Sequence, residues 1–125
     1  MKIILSDLDN TLIKNNQIDS ITLQKIQEFR EKNLFILATG RSKESLKIIQ
    51  EQLKFNSFDY ATCSNGSCII YTNYNIVFIQ YFTSKEVEAF FEKLQRIFSG
   101  NVIVAKASGE YIAHASKHLR LENED

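Results

Sequence analysis

The feature that most constrains the fold is a short apolar run at residues 3–5 that stops at two carboxylates. Asp7 and Asp9 follow the run with one residue between them, and Thr11 comes next at the same spacing. A continuous apolar run is typical of a buried strand, and ligands of open α/β sheets bind beyond the carboxyl ends of the strands. Two acids there could hold a hard cation or attack phosphorus. Such residues also turn the chain without any chemistry, so the spacing alone leaves both interpretations open.

A second apolar run also ends in groups suited to phosphate. Residues 34–38 read Leu-Phe-Ile-Leu-Ala and are followed by Thr39, Gly40 and Arg41 at the start of a predicted helix. A hydroxyl and free backbone N–H groups at a helix amino terminus favour an anion. Arg41 could reach a substrate phosphate, or it could pair with an acid near the helix start. Two consecutive strands therefore end in groups fit for a phosphate and its metal.

These motifs resemble those of a known family. Residues 7–12 are similar to the first motif, D-x-D-x-T, of the haloacid dehalogenase (HAD) superfamily. Residues 38–41 are similar to its second motif, in the form found in Cof-like sugar-phosphate phosphatases. An Asn-Gly-small triplet follows the third core strand in those proteins, and residues 64–67, Ser-Asn-Gly-Ser, extend the resemblance; Asn-Gly is equally typical of a plain turn. The resemblance implies an α/β fold with a doubly wound parallel sheet, here an incomplete HAD-like Rossmannoid core, and the start of an α/β cap.

The resemblance also implies the chemistry, which is Mg²⁺-dependent hydrolysis of a phosphate monoester, on a small sugar or metabolite, through an aspartyl phosphate. Asp7 would be the nucleophile, and Asp9 would act as general acid and then general base. The metal ligands would be Asp7 and the backbone carbonyl of Asp9. Thr39 and Gly40 would hold the phosphate. The weaker site candidates are Thr11, which would fix the loop, Arg41 and Asn65.

Composition describes a small globular domain without an electrostatic partner. The chain has 125 residues, 44% of them hydrophobic, and its 15 basic and 15 acidic residues cancel. This balance gives no case for nucleic acid or an anionic membrane, and no apolar run is long enough for a transmembrane helix. Cys63 and Cys68 have no nearby His, so reduced structural thiols are favoured over a zinc site or a disulfide. We expect a cytoplasmic protein, and the resemblance implies that its partner is a small phosphorylated metabolite.

Hydrophobic periodicity and capping residues predict the order of the elements. The predicted series is a helix from Asp19 or Ser20 to Asn33, a strand at 34–38, a helix from about Ser42 to Leu53, a strand at 60–63 and a hairpin with strands at 67–72 and 76–82. Thr83 and Glu86 then form a capping-box pattern that begins a long helix. Its predicted buried stripe consists of Val87, Phe90, Phe91, Leu94, Ile97 and Phe98. We place the domain boundary between residues 1–82, the core with its hairpin, and 83–125, the beginning of the cap.

After this helix, which is predicted to end at Ser99-Gly100, a strand pair is expected at 102–105 and 111–113, joined near Ser108. His114 and His118 fall in the polar region beyond it and are interpreted as surface residues. The third motif of the family is a Lys and the fourth an acidic pair, both located beyond the cap. Lys106 and Lys117 come too early for that Lys, and the acids at 122–125 follow no apolar strand.

The sequence therefore indicates either a fragment of a longer phosphatase or a truncated gene product. We expect the chain as given to be a poor catalyst and to self-associate through an uncovered core. One alternative is a catalytically deficient remnant that keeps the phosphate pocket as a binding or interaction module. Another alternative is a receiver domain of two-component signalling, which has about this length and an acidic pair after its first strand. A receiver domain also needs a phosphoacceptor Asp at the end of the third strand. The chain has Thr62-Cys63-Ser64 there, which disfavours a receiver.

Overall fold

The computed structural model describes residues 1–106 and 109–114, with side chains described for residues 1–100 and for Val102. The chain divides into two compact units, Met1–Ile79 and Gln80–Asp125.

The first unit is built on one five-stranded sheet whose strands follow the order of the chain. Its elements are β1 (Ile3–Asp7), α1 (Ser20–Arg30), β2 (Leu34–Ala38), α2 (Lys43–Leu53), β3 (Tyr60–Cys63), β4 (Cys68–Tyr71) and β5 (Ile76–Ile79). Strands β1, β2 and β3 are parallel neighbours, whereas β4 and β5 return antiparallel, so the sheet is mixed. The predicted α/β class and the predicted parallel pairing of β1 with β2 are confirmed.

The core lies on one face of this sheet. Leu37 pairs with Ala61 and Ala61 with Ile70 across β2, β3 and β4, and all three side chains are fully buried. Ile26 of α1 and Leu46 of α2 belong to the same buried cluster. Because both crossovers advance in one direction along the sheet, their usual right-handedness places both helices on one face.

The predicted helix starts are confirmed, but one predicted helix end is wrong. Asp19 caps α1 by accepting from Thr22 N at 3.1 Å, and Ser42 caps α2 in the same way. The first helix ends at Arg30 rather than at Asn33, and its cap residue has right-handed backbone angles. Asn33 uses its side chain instead of a left-handed backbone, donating from Nδ2 to Phe29 O at 3.0 Å. The carbonyl of Phe29 in the last turn of α1 thus accepts from this side chain as well as from the backbone N–H of Glu31.

The sequence predicts a buried strand at residues 3–5. The strand is confirmed as β1, but its predicted burial is wrong, because Ile3 is 59% exposed, Ile4 41% and Leu5 63%. The reason is position, since β1 is the first strand in the sheet order and in the described residues is paired with β2 alone. An apolar run predicts a strand, but it does not report how many neighbours that strand has.

The second unit contains α3 (Ser84–Leu94) and an antiparallel pair of strands, β6 (Asn101–Lys106) and β7 (Gly109–His114). The Thr83–Glu86 capping box is confirmed. The helix ends earlier than predicted, at Leu94. Phe91 is buried as expected, whereas Phe90, Ile97 and Phe98 are exposed; the latter two lie past the last helical residue and so leave the predicted stripe.

Two further expectations about this unit concern its last residues. His114 is the last residue of β7 and does not lie in a tail beyond the strand pair. His118, Ser108, Lys117 and the acids at 122–125 lie outside the described residues. None of the described helices is long and apolar enough to cross a bilayer.

Cys63 and Cys68 face each other across β3 and β4, and both are buried free thiols. Burial, with the neighbouring Cys68 as a smaller cause, raises the pKa of Cys63 to about 12. A thiol held protonated in this way is a poor nucleophile and a poor metal ligand.

An ion pair between α1 and the start of β3 gives the fold a testable pH dependence. Arg30 donates to Asp59 from Nε at 3.2 Å and from Nη2 at 3.0 Å, and Phe35 N donates to the same carboxylate at 2.8 Å. Burial raises the pKa of Asp59, but the hydrogen bonds and charge of Arg30 together with the Phe35 N–H outweigh it and leave the pKa lowered.

We therefore expect Asp59→Asn to reduce the free energy of unfolding at pH 7 by about 1–3 kcal/mol. A lowered folded-state pKa stabilises the fold above the unfolded pKa, roughly 3.9, and that stabilisation is lost as the pH falls through the folded value. Urea titrations should thus show the difference between wild type and variant shrinking below about pH 4. Glu28→Gln, at the exposed Lys25 pair on α1, is the control and should change little. A difference that persists at low pH would contradict this assignment.

The open edge of β1 generates a second prediction. We propose that copies of the chain associate through β1, because it has three consecutive exposed apolar residues and no described strand pairs with the backbone groups on its outer side, which form a template for strand pairing. Leu5→Lys should shift the chain toward monomer in light-scattering measurements at about 0.1 mM protein. Ile48→Lys is the matched control, because Ile48 is 58% exposed on α2. Wild type that is monomeric at that concentration would refute the proposal.

Candidate active site

Three loops lie at the edge of the sheet that is formed by the carboxyl ends of the parallel strands, and not along the outer side of β1. They follow β1, β2 and β3 and consist of residues 8–13, 39–42 and 64–67. Because these strands are parallel and paired in register, with Asp7 opposite Ala38 and Ala38 opposite Thr62, their carboxyl ends are level. This is the edge at which open α/β sheets bind ligands.

Asp7 ends β1 with an exposed carboxylate held by its own loop. Thr11 Oγ1 donates to Asp7 Oδ2 at 2.8 Å. The loop closes on the buried Leu8, whose carbonyl accepts from Leu12 N at 3.0 Å and from Ile13 N at 2.9 Å. Asn10 takes the left-handed conformation this tight turn requires, with φ of 63°. The turn thus fixes one oxygen of Asp7 and leaves the carboxylate open to solvent.

Asp9, the second acid of the motif, pairs with Arg41 of the second loop. Arg41 Nε donates to Asp9 Oδ2 and Nη2 donates to Oδ1, each at 2.8 Å. This two-point contact is the strongest geometry available to an Arg–carboxylate pair. Of the two roles left open for Arg41 by the sequence, the structure shows the pairing with an acid.

The electrostatic effect of this pair falls on Asp9. Hydrogen bonding by Arg41 lowers the pKa of Asp9; burial opposes it to a smaller extent, and the charge of Arg41 adds to the lowering. The carboxylate of Asp9 is therefore held in its ionised form, with both oxygens engaged by the guanidinium.

Arg41 has a further contact that the sequence analysis missed. Its Nη1 donates to Ser45 Oγ at 3.1 Å, from the first turn of α2. The sequence does contain a signal for this contact: Arg41 and Ser45 are four residues apart, a spacing that brings two side chains together at a helix start. Ser45 thus contacts a third nitrogen of the guanidinium and helps to orient it toward Asp9.

The second loop presents a hydroxyl and a backbone N–H. Thr39 is buried. Its N–H donates to Thr62 O at 3.0 Å, and its Oγ1 accepts from Arg41 N at 3.1 Å. The hydroxyl hydrogen of Thr39 and the N–H of Gly40 remain as donors, and no acceptor for Gly40 N–H occurs among the described hydrogen bonds. These two groups, rather than the N–H of Thr39, are suited to an anion.

The third loop is joined to the second by backbone hydrogen bonds. Ser64 N donates to Arg41 O at 2.8 Å, and Asn65 N lies 3.4 Å from Thr39 O. Asn65 is also close to Gly40 through its side chain, because a Cβ built on Gly40 would lie 3.0 Å from Asn65 Oδ1. All the predicted site residues therefore belong to these three loops or to the strand end that precedes them.

The atoms at this edge that could bind a metal ion are oxygen atoms. Asp7 offers a carboxylate and Asp9 a backbone carbonyl, the hard ligands that Mg²⁺ prefers while keeping several waters. No group of three or more His, Cys, Asp or Glu side chains suited to a metal occurs among the described residues. The oxygen ligands present thus fit a magnesium ion held by few protein ligands.

The Arg41–Asp9 pair can be tested by titration. We expect Arg41→Gln to raise the pKa of Asp9 toward its ordinary value, because the variant removes the cation that favours the ionised form. Carboxyl carbon NMR in metal-free buffer measures this pKa. Arg30→Gln is the matched control: it should raise the pKa of Asp59 and leave Asp9 unchanged. An Asp9 titration that is the same in wild type and Arg41→Gln would show that the pair does not persist in solution.

Solved structures of known proteins share this fold. BT1666 of Bacteroides thetaiotaomicron, from work on phosphatases of the HAD enzyme superfamily, has a TM-score of 0.71 at 15% identity, with 90% of this chain and 41% of that one covered. A haloacid dehalogenase-like hydrolase from B. subtilis has a TM-score of 0.70 at 20% identity over 83% of this chain and 36% of that one. BT4131, a HAD subclass IIB sugar phosphatase, has a TM-score of 0.68 at 20% identity, with 90% of this chain and 44% of that one covered. At such identities the likeness is one of fold.

The chain spans about two fifths of the length of these structural relatives. No curated protein sequence matches it. The sequence model of the haloacid dehalogenase-like hydrolases matches residues 4–125. Because that match takes in both motifs and nearly the whole chain, the chain belongs to the haloacid dehalogenase-like hydrolase family.

Proposed function

We propose that the chain carries the nucleophile and phosphate site of a magnesium-dependent phosphate monoester hydrolase that acts on small sugar or metabolite phosphates. The observation that supports the proposal is the level ending of three parallel strands, which brings the end of β1, at Asp7, level with the end of β2, where Thr39 and Gly40 follow. Membership of a hydrolase family supports the reaction class, and a structural relative described as a sugar phosphatase supports the substrate class.

In the first step, a carboxylate oxygen of Asp7 attacks phosphorus. A bond from Asp7 to phosphorus forms as the bond from phosphorus to the leaving oxygen breaks, and Asp9 gives a proton to that oxygen. In the second step, Asp9 takes a proton from a water that attacks phosphorus, which releases phosphate and restores Asp7. The hydrogen bond from Thr11 to Asp7 Oδ2 fixes the direction of the nucleophile.

Arg41 has to change partner for this sequence of steps. An acid must carry a proton before it can donate one, and the Arg41 pair favours the ionised form of Asp9. A phosphate group competes for a guanidinium, because it also accepts two hydrogen bonds and carries more charge. Arrival of substrate would thus draw Arg41 toward phosphate and free Asp9.

Magnesium, held by the carboxylate of Asp7 and the backbone carbonyl of Asp9, would supply positive charge against the phosphoryl oxygens. The second unit, from Gln80 onward, would be the beginning of a cap that excludes water and selects the leaving group.

One observation favours the alternative function, a phosphate-binding module without turnover. Both carboxylate oxygens of Asp9 are engaged by Arg41, so the acid/base group is occupied, while the hydroxyl of Thr39 and the N–H of Gly40 stay available to donate to an anion. Binding and turnover therefore have to be measured separately.

We expect Mg²⁺ with beryllium fluoride to raise the unfolding temperature of wild type, because this pair mimics a phosphoryl group on the Asp7 oxygen. Asp7→Asn should abolish the increase. Asp19→Asn is the matched control, because Asn also caps a helix and the change in charge is the same. Equal stabilisation of wild type and Asp7→Asn in calorimetry would assign the acids to making a turn.

Hydrolysis of p-nitrophenyl phosphate then separates the two functions. Turnover that is lost in Asp7→Asn supports the hydrolase, and an ordinary enzyme would reach about 1 s⁻¹ or more. Protection by the mimic without any Asp7-dependent turnover supports the binding module.

A further inference from the structure

The side chain of Asn65 fills the space beside Gly40. Apart from the residues next to it in the chain, a Cβ built on Gly40 would meet only Asn65 Oδ1, at 3.0 Å, and Asn65 Cγ, at 3.8 Å, within 4 Å. The carboxamide thus lies against the residue whose N–H is suited to an anion. It lies there from a different strand end, since Asn65 follows β3 and Gly40 follows β2.

The backbone of this loop is held in an unusual conformation. Ser64, Asn65 and Gly66 all have positive φ, at 50°, 55° and 96°. Two of the three are not glycine, and successive left-handed residues are unfavourable for L-amino acids. The loop is held in place by the hydrogen bond from Ser64 N to Arg41 O at 2.8 Å. Conformations of this kind are common at ligand sites, where the surrounding structure determines them.

The carboxamide has a donor that the described residues do not use. Oδ1 is the carboxamide atom that faces Gly40, whereas Asn65 Nδ2 would lie more than 4 Å from a Cβ on that glycine, and no hydrogen bond to a described residue engages it. The side chain is exposed to solvent at the edge where the three loops lie. An amide N–H placed there can donate to an oxyanion without losing a protein partner.

We propose that Asn65 is a third phosphate ligand, which donates from Nδ2 to an oxygen of the phosphate group held by Thr39 and Gly40. The proposal rests on the proposed function, because it uses the same anion site. It accounts for glycine at residue 40, because a Cβ there would lie 3.0 Å from Oδ1 and would push the carboxamide a few tenths of an ångström away. It also assigns a purpose to the left-handed backbone, which turns the side chain back toward the neighbouring loop.

The test is the affinity of the full chain for inorganic phosphate in the presence of Mg²⁺, measured by isothermal titration calorimetry on wild type, Asn65→Gly and Asn65→Asp. Glycine accepts the positive φ but has no donor, so Asn65→Gly should bind phosphate about 10-fold more weakly while unfolding at the same or a higher temperature. Asparagine and aspartate have the same shape and both tolerate this backbone. Asn65→Asp should lose more than 10-fold, because a donor becomes a repelling charge.

Asn56→Asp is the matched control for charge. Asn56 is exposed and lies between the end of α2 and the start of β3, at the opposite edge of the sheet. The Asn56→Asp variant should bind phosphate with the affinity of wild type. A purely structural role for Asn65 predicts instead that affinity follows stability, so that the stable Asn65→Gly variant keeps its phosphate.

Thr39→Val separates this inference from the proposed function. If Thr39→Val loses phosphate while Asn65→Asp binds within about twofold of wild type, the phosphate site stands and the role of Asn65 is overturned. Wild type that fails to bind phosphate at millimolar concentration would overturn both.

Discussion

The parallel pairing of β1 with β2 and of β2 with β3 is the constraint on which the arrangement of the site depends. Asp7, Ala38 and Thr62 occupy one row across the three strands. A shift of register by one residue would turn every side chain of a strand to the other face of the sheet. The row therefore fixes the depth at which each loop begins. Residues separated by more than fifty positions in the sequence, such as Asp7 and Asn65, are gathered at one edge by backbone hydrogen bonds that carry no chemistry themselves.

Burial is unevenly distributed over these three strands. Leu37 in β2 and Ala61 in β3 are fully buried, whereas the apolar residues of β1 are 41–63% exposed. The strand that presents the proposed nucleophile is thus the least buried of the parallel set. Local stability rises with buried apolar area and with paired backbone groups. Exchange of amide hydrogens should accordingly be faster in β1 than in β2, and whatever covers β1 would also stabilise the position of Asp7.

The sequence predicted the elements well wherever local signals decide them. The bounds of β2 and β3 and the caps at Asp19 and Ser42 follow from apolar runs and from hydroxyl or carboxylate side chains at helix starts. The exposure of β1 could not be predicted, since the number of strands beside it is a property of the whole sheet. The sequence predicts Asn33 as a left-handed backbone cap, whereas in the structure its side chain donates to the carbonyl of Phe29.

The candidate site shows the same division between local and distant information. The acids, the Thr-Gly pair and Asn65 could be named from motifs, because each motif is a short segment. The partner of Arg41 could not be chosen, because Asp9 is thirty-two residues away and phosphate was an equally good partner. The close approach of Asn65 to Gly40 also depends on the pairing of β2 with β3. A sequence can thus supply the groups of a site, while their contacts depend on tertiary structure.

Arg41 connects the three loops more than any motif acid does. Its N–H donates to Thr39 Oγ1, its carbonyl accepts from Ser64 N, and its guanidinium holds Asp9 and Ser45. The backbone contacts survive any movement of the side chain, because they use different atoms. In the proposed mechanism, the guanidinium would therefore exchange Asp9 for an incoming phosphate while the second and third loops keep their relation to each other. Binding of the anion and release of Asp9 would then be one event at one residue.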